Sequence, residues 1–430
     1  MILRDPVHGL VAFESDEERI VEQLMDTPEV QRLRRVRQLG VTSLAFPGAE
    51  HSRFSHAIGA AFVMKLLLAR LRAIHGALPE AQRVTPAMAR EALAAAFLHD
   101  LGHGPLSHLF EDAIPGTPAH ETWTERIVLD PSTGVHRVLR SIDASLPARV
   151  AALVHGRHEI AYLARAVSGE FDVDRCDYLL RDAHATGVRY GVYDLDWLLR
   201  SLRFAADVDP SRAPSLAIDG AKGLPAIEAF IIARLFMFQQ VYLHKATRAA
   251  EWMIRTILAR AVDALRSGRA LPGVPAAVAA GARGEPLALD DYLELDDGVL
   301  WGAMHAWEGA SDESLSDLAR RIRARSLFKT LDLFGDQATP DGRARVLDVA
   351  RDVARARGLE PTAYVGLDVA SDEPFGGQAE PLMVVYAKGP ARPLHDVSFL
   401  LGRLAGQALS RVRLVLAPEL RAPVTHALGL

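Results

Sequence analysis

The sequence predicts a mainly α protein, with a large helical core and a smaller α+β lobe at the C-terminus. Three observations carry this prediction. Apolar residues recur at helical spacing through most of the first two thirds of the chain. Turn-forming residues, such as Gly102, Gly104 and Pro105, follow the periodic runs. After Phe334 the pattern changes to short apolar runs of strand length. A chain of 430 residues holds one large domain with an appendage, or two domains. The expected division is a core over 1–330 and a lobe over 331–430.

In chain order, Glu17 to Met25 and Pro28 to Leu39 read as helices that follow Ser15-Asp16 and Asp26-Thr27 as start signals. Phe54 to Ile74 is a long apolar helix, and Pro86 to Leu98 is an Ala-rich one. Helical spacing resumes over Thr122–Leu129, Val135–Ile142, Arg175–His184 and Pro225–Leu265. Residues 267–285 are rich in Gly, Pro and Ala and read as a surface loop. Leu287 to Leu327 is helical again. In the lobe, Leu382–Tyr386 and Val412–Leu416 read as strands flanking a helix near Val397–Ser410.

Hydrophobic residues make up 49% and charged residues 24%, the balance of a protein that buries a core. The formal net charge of -5 gives no global pull toward nucleic acid, so an anionic substrate must be held by local Arg and Lys. Cys176 is the single cysteine, which excludes an internal disulfide and fits a reducing compartment. The first residues lack the basic start and apolar core of a signal peptide, and no uncharged apolar run is long enough to span a bilayer. The expectation is a soluble cytoplasmic protein with no membrane partner.

His99 and Asp100 lie side by side at the end of an apolar helix. Two neighbouring polar groups there need a partner that both can reach, and a metal ion supplies one. Upstream stands His56 and downstream Asp174, giving an ordered His, His-Asp, Asp set. A lone histidine at a helix end is more often a hydrogen-bonded core residue, so the set, not any member, carries the reading. Imidazole with carboxylate suits a divalent transition metal such as Mn, Fe, Zn or Ni, whereas calcium would want oxygens only. Four protein ligands on an octahedral ion leave two positions open for water and substrate.

The surroundings of these residues add a resemblance. The blocks are Asp5-Pro6-Val7-His8-Gly9, Gln31-Arg32-Leu33-Arg34 with Gln38-Leu39-Gly40, Phe46-Pro47-Gly48-Ala49, and His51-Ser52-Arg53-Phe54-Ser55-His56. They continue with His99 through His108, Asp172-Val173-Asp174-Arg175-Cys176-Asp177-Tyr178 with Arg181-Asp182, and Tyr242-Leu243-His244-Lys245. In this order, from Asp5 to Lys329, the chain resembles the HD-domain deoxynucleoside triphosphate triphosphohydrolases of the sterile-alpha-motif-and-HD-domain type, in the bacterial form without the sterile-alpha-motif domain.

The resemblance implies an HD-domain helical core that hydrolyses a dNTP to a deoxynucleoside and inorganic triphosphate. It implies His56, His99, Asp100 and Asp174 as metal ligands, with magnesium accompanying the nucleotide. His108 would be the general acid, supported by His120 and by Glu111, which stands where the family commonly has aspartate. His103 and Arg53 would contact the α-phosphate region, and Arg175 (a lysine in the family) and Arg234 the remaining phosphates. Gln38, Leu39, Tyr178, Asp182 and Tyr242 would shape the sugar pocket. Phe238 replaces a family histidine. Taken without the resemblance, Tyr178 reads as core and Arg175 and Arg181 as a solvated helix face.

The family's nucleotide-activated members are tetramers with effector nucleotides between subunits. Asp26, Gln31 and Arg34 match guanine-reading positions, and Lys222, Arg325 and Lys329 match phosphate contacts. Asp196 and Gly220 fall where effector-contacting arginines are expected. These matches imply a GTP or dNTP effector and a homo-oligomer, tetramer or dimer. Two alternatives remain open: another HD-domain phosphohydrolase acting on a mono- or diphosphate or a modified nucleotide, and a catalytically silent nucleotide-sensing scaffold. An alarmone hydrolase would carry acidic residues just after the pair, where Leu101-Gly102-His103-Gly104 stands instead.

Overall fold

One buried helix organises the core. In the computed structural model, which describes residues 1–169, 171–205, 214–373, 375 and 381–429, α1 (Arg53–Ile74) starts at Ser52, whose hydroxyl accepts the Ser55 N–H. Phe54, Ala57, Ala60, Ala61, Val63, Met64, Leu67, Leu68 and Leu71 are all buried along one broad side of the helix, with Ala69 and Ala73 exposed on the other. So wide an apolar face packs against several neighbours at once. Each fully buried Leu or Phe there contributes roughly 1.5–3 kcal/mol. Beside it lies α2 (Pro86–Leu98), capped by Thr85, with Ala89 and Ala92 through Leu98 buried.

Four further helices place the rest of the site. They are α3 (His108–Ala113), α4 (Val173–Thr186), α5 (Leu224–Met237) and α6 (Lys245–Arg266), with a π-helical segment, Phe238–Tyr242, after α5. The Asp172 side chain caps α4 by accepting the Arg175 N–H at 2.8 Å. Crossing of α1 by α4 depends on Gly59. A Cβ there would lie 1.9 Å from Asp177 Oδ1 and 2.3 Å from an Arg181 nitrogen. The run Leu224–Tyr242 is the one helix among the described residues long and apolar enough to cross a membrane. It carries Glu228 and Arg234, and packs on the core through Ile227, Phe230, Ile231 and Met237.

The strands are β1 (Ile2–Asp5), β2 (Gly9–Ala12), β3 (Leu202–Ala205), β4 (Ser215–Asp219), β5 (Lys329–Asp332), β6 (Val365–Asp372), β7 (Met383–Val385), β8 (Arg392–Pro393) and β9 (Leu409–Leu416). They form a β1-β2 hairpin, a sheet of order β3-β4-β7-β8 and an antiparallel sheet of order β5-β9-β6. Segment 331–430 thus contributes to two sheets. β7 pairs in parallel with β4 of the helical core, so the two predicted lobe strands do not share a sheet. The helix expected near Val397–Ser410 is two short turns, Leu394–Val397 and Leu401–Leu404, because β9 already begins at Leu409.

Two other expectations are corrected. Ala276–Arg283, inside the expected 267–285 loop, is a helix that buries Ala277 and Val278. Its small residues read as a loop, but they allow close packing: a Cβ on Gly281 would sit 2.5 Å from the Ile114 side chain. The predicted Pro28–Leu39 helix is the α-helix Pro28–Arg32 followed by the 3-10 turn Leu33–Arg35.

Arg32 explains where the α-helix stops. It is 2% exposed and donates to the Leu295 carbonyl at 2.7 Å, the His103 carbonyl at 2.8 Å and the Leu101 carbonyl at 3.4 Å. It therefore clamps the turn that follows His99-Asp100. Replacing it leaves buried carbonyls without donors. Arg32→Leu is expected to lower unfolding stability by about 3 kcal/mol in urea titrations; a change under about 0.5 kcal/mol would contradict the clamp.

Candidate active site and metal centre

Three helix termini meet at His56, His99, Asp100 and Asp174. His56 lies in the first turn of α1, His99 and Asp100 follow α2, and Asp174 opens α4. The Nε2 atoms of His56 and His99 are 3.3 Å apart. Asp174 Oδ1 is 2.9 Å from the first and 3.4 Å from the second. Asp100 Oδ2 lies 3.6 Å from His56 Nε2, and its Oδ1 lies 3.4 Å from His99 Nε2.

The outer nitrogens fix what the inner ones offer. His56 Nδ1 faces Asp177 Oδ2 at 2.7 Å, and His99 Nδ1 faces the Ala96 carbonyl at 2.9 Å. Each Nδ1 therefore carries a proton that it donates, and each Nε2 presents a lone pair. Two lone pairs and two carboxylates facing one another call for a cation. The protons show the same demand. Burial works against charge on both rings, yet Asp174 and Asp177 push His56 up to about 10, and Asp100 and Asp174 push His99 up to about 9. The Nε2 separation matches two imidazoles sharing one ion at about 2.0–2.1 Å. The residues fit a borderline divalent metal.

Behind His56 runs a buried chain of charge that sequence reasoning did not assign to the site. Arg181 grips Asp177 through Nε and Nη2 at 2.7 and 2.8 Å, and reaches Asp5 Oδ2 at 2.8 Å. His8 Nε2 adds a bond to Asp177 Oδ1 at 2.6 Å, while Asp5 Oδ1 accepts the Val7 and His8 N–H groups. Arg181 is 2% exposed, so it is no solvated face. The available signal was spacing: Asp177 and Arg181 continue the Asp174 face of α4 at three and four residues.

A second cluster adjoins the first. His108 Nδ1 bonds Glu111 Oε1 at 2.5 Å, and Glu111 Oε2 accepts the His120 N–H at 2.8 Å. Glutamate thus reaches the histidine in place of aspartate. Burial opposes its ionisation, but bonds with His108 and His120 hold the Glu111 carboxyl well below the usual carboxylate range. His103 stacks on His120 with centroids 3.7 Å apart and places Nε2 3.2 Å from Asp100 Oδ1. Burial and nearby Arg53 keep His103 neutral. The approach of the His120 helix depends on Gly102, where a Cβ would lie 2.1 Å from the His120 carbonyl. Leu106 and Ser107, just before His108, adopt φ of 56° and 60°, strain typical of functional turns. Asp297 anchors that turn by accepting the Leu106 N–H at 2.8 Å.

A cavity of about 410 Å³ opens beside both clusters, and Gln38, Leu39, Arg53, His108, Tyr178, Asp182 and Tyr242 line it. Asp182 is held by His51 at 2.8 Å and accepts the Tyr242 hydroxyl at 2.7 Å. Arg53 is committed to the metal cage: it donates to Asp100 and to Ser107 Oγ. Arg175 is turned to Asp172 and the Gly169 carbonyl and is not part of the cavity lining. Arg234 packs over the Phe238 ring at 5.5 Å.

The matched effector positions fall in separate places. Gln31 bonds the Met25 carbonyl and Arg34, and Arg34 stacks on Phe54, with Asp26 exposed at the end of the preceding helix. Arg325 and Lys329 join Lys245 and Arg421 around a cavity of about 260 Å³. Lys222 is exposed in the turn before α5, its carbonyl accepting Trp197 Nε1–H, and does not line that cavity.

The outer chain can be tested apart from the ligands. Asp177→Asn removes one charge and keeps the size. It is expected to weaken metal binding about 10–100-fold in chelator competition. Unchanged affinity would contradict the role of the chain.

Residues 53–182 match the HD domain, and residues 180–270 match the HD associated region. YwfO of Bacillus subtilis, an uncharacterized protein, is 32% identical over 413 residues, 94% of this chain and 89% of that one. The deoxynucleoside triphosphate triphosphohydrolase SAMHD1 of Homo sapiens is 26% identical over 388 residues, covering 80% of this chain and 56% of SAMHD1. Among solved structures, a phosphohydrolase of Bacteroides thetaiotaomicron aligns with a TM-score of 0.81 at 27% identity, over 97% of this chain and 99% of that one. With its metal-type donor set at the HD positions and a full-length relative at 32% identity, the chain belongs to the HD-domain phosphohydrolase family, with the HD-associated region directly following the HD domain.

Proposed function

We propose that this protein is a metal-dependent dNTP triphosphohydrolase that releases a deoxynucleoside and inorganic triphosphate. One observation carries the reading: a single cavity joins Arg53 and His108, at the edge of the metal cage, to a wall of Tyr178, Asp182 and Tyr242. Asp182, held on both oxygens, keeps acceptor capacity for a 3′-hydroxyl, with Gln38 beside it. Tyr178 and Tyr242, with ring centroids 6.3 Å apart, form an aromatic wall that would pack against C2′ and exclude a 2′-hydroxyl sterically. The named activity of SAMHD1 agrees with this reading.

His56, His99, Asp100 and Asp174 would hold the metal, a transition ion such as Mn, Fe, Zn or Ni. When bound, it supplies Lewis acidity toward a phosphoryl oxygen and a more acidic water. Arg53 keeps Asp100 ionised and oriented. His108, half open to the cavity and steered by Glu111 at Nδ1, delivers the Nε2 proton to the departing 5′-oxygen. His103, neutral and buried, turns its one N–H to Asp100 Oδ1 and would act at the α-phosphate region by orienting Asp100, and His120 supports Glu111. Arg175 and Arg234 both act electrostatically on the Tyr178 phenol and would supply positive charge toward the phosphate tail.

A guanine nucleotide effector is part of the same proposal. Asp26, Gln31 and Arg34 offer a carboxylate, an amide and a guanidinium on one surface. The cavity of Lys245, Arg325, Lys329 and Arg421 is lined by four cations and no carboxylate, which suits a phosphate tail. Neither group encloses a nucleotide alone, so an oligomer, dimer or tetramer, would complete the site.

The metal-loaded protein, incubated with each dNTP with and without GTP, is expected to release triphosphate. Release of orthophosphate or pyrophosphate would overturn the assignment. His108→Ala is expected to lower kcat by about 10²–10⁴. Because the Glu111 carboxyl is held low, it stays ionised through the usual carboxylate range, and protonation ends its support only at pH below that range. Glu111→Gln should therefore be slower than wild type across the whole range from about pH 5 to 8. A defect confined to one end of that range would contradict this role.

A further inference from the structure

We propose that the charged wall of the substrate cavity reads the nucleobase, and that Asp112, Glu251 and Arg255 select guanine. This rests on the reading of the cavity as a nucleotide site.

Besides the sugar wall, the cavity is lined by Asp112 on α3, one turn after His108, and by Arg248, Glu251 and Arg255 on α6. Positions 248, 251 and 255 recur at three and four residues, so one face of α6 lines the cavity. Arg248 is already engaged: it donates to Asp368 Oδ1 of β6 from Nε and Nη2, at 3.0 and 2.5 Å, and to Glu251 Oε2 at 2.7 Å. That leaves Asp112, Glu251 and Arg255 as the groups with capacity for a ligand. Arg255 approaches Asp112 at 3.6 Å, an ion pair longer than a hydrogen bond, with side chains 37% and 61% exposed.

Charge decides which part of a nucleotide enters here. Asp112 and Glu251 are balanced by Arg248 and Arg255, so this wall carries no net positive charge to hold a triphosphate. The base is the part that a mixed acceptor and donor wall can take. Val41, Leu106, Leu109 and Phe238 give it apolar surface. Burial also pushes the Glu251 carboxyl up, against the pull of Arg248 and Arg255, so N–H donors brought to it replace missing solvation. Guanine presents two adjacent donors, N1–H and the 2-amino group, that suit a carboxylate, and O6 and N7 acceptors that suit a guanidinium. Adenine and cytosine offer one exocyclic amine without an adjacent ring N–H, and thymine offers no amine.

The test measures kcat/KM for the four dNTPs at saturating GTP, which keeps any effector site equally filled. The full-length, metal-loaded protein is compared with Glu251→Gln, Asp112→Asn and the double variant. Calorimetric binding of the four deoxynucleoside monophosphates runs in parallel and needs no hydrolysis. The expected result is a preference for dGTP and dGMP of about tenfold, reduced to within about threefold in the double variant. Asp112 is exposed, so Asp112→Asn reports even if Glu251→Gln folds poorly. A ranking untouched by the substitutions, or an equal loss for all four bases, would overturn the proposal. If no triphosphate is released but dGMP still binds best and loses that advantage in the variants, base reading stands and the assigned reaction falls.

Discussion

Two imidazole lone pairs point at each other across 3.3 Å, flanked by two carboxylates. Without a cation this arrangement is repulsive, and the protein commits three helix termini to it. The surrounding structure prevents its relaxation. Asp177 and the Ala96 carbonyl hold the outer nitrogens, so neither ring can turn its lone pair away without losing a buried bond. Arg53 does the same for Asp100.

That constraint extends outward through groups that never touch substrate. Arg181 and Asp5 lock Asp177, which brings the N-terminal hairpin into the site's support. Gly59 gives α4 the space to carry Asp177 and Arg181 across α1. On the other flank, Arg32 clamps the His99–His103 turn and Gly102 admits the His120 helix. Arg248 ties the cavity face of α6 to Asp368 of the C-terminal sheet, so that sheet stabilises one wall of the cavity. The four-donor cage, the cluster of His103, His108, Glu111 and His120, and the cavity form one connected polar network beside an apolar bundle.

Much of this was legible from the chain. Helical spacing placed α1, α2 and α4 to within a residue or two, because their apolar positions are numerous and their starts carry Ser, Thr or Asp caps. The four cage residues sit at the ends of those helices, so their convergence followed from ordered motifs. The Asp177–Arg181–Asp5 chain was not legible, since a buried Arg and a solvated Arg look alike until the neighbouring helix is placed. Arg175 shows the converse: the resemblance implied a phosphate contact, and its guanidinium is paired with Asp172, a carboxylate three residues earlier on the same helix end. The parallel pairing of β4 with β7 joins residues more than 160 positions apart, beyond any local pattern. The charged wall of the cavity comes from α6, whose Arg248, Glu251 and Arg255 lie outside every motif block read from the sequence.

The central claim is that the four-donor cage, and not the neighbouring His103, His108 and His120 group, holds the metal. His56, His99 and Asp174, with Asp100 flanking them, and His103, His108 and His120 each offer three ligand atoms within reach of one ion. The parallel stacking of His103 on His120 would leave a shared ion out of both ring planes, whereas the His56 and His99 lone pairs converge. Anomalous diffraction from crystals of the protein loaded with manganese or zinc, collected at the metal edge, distinguishes the two directly. The account predicts one dominant peak about 2.0–2.2 Å from His56 Nε2, His99 Nε2, Asp100 and Asp174. A dominant peak among His103, His108 and His120, with none between His56 and His99, would contradict it.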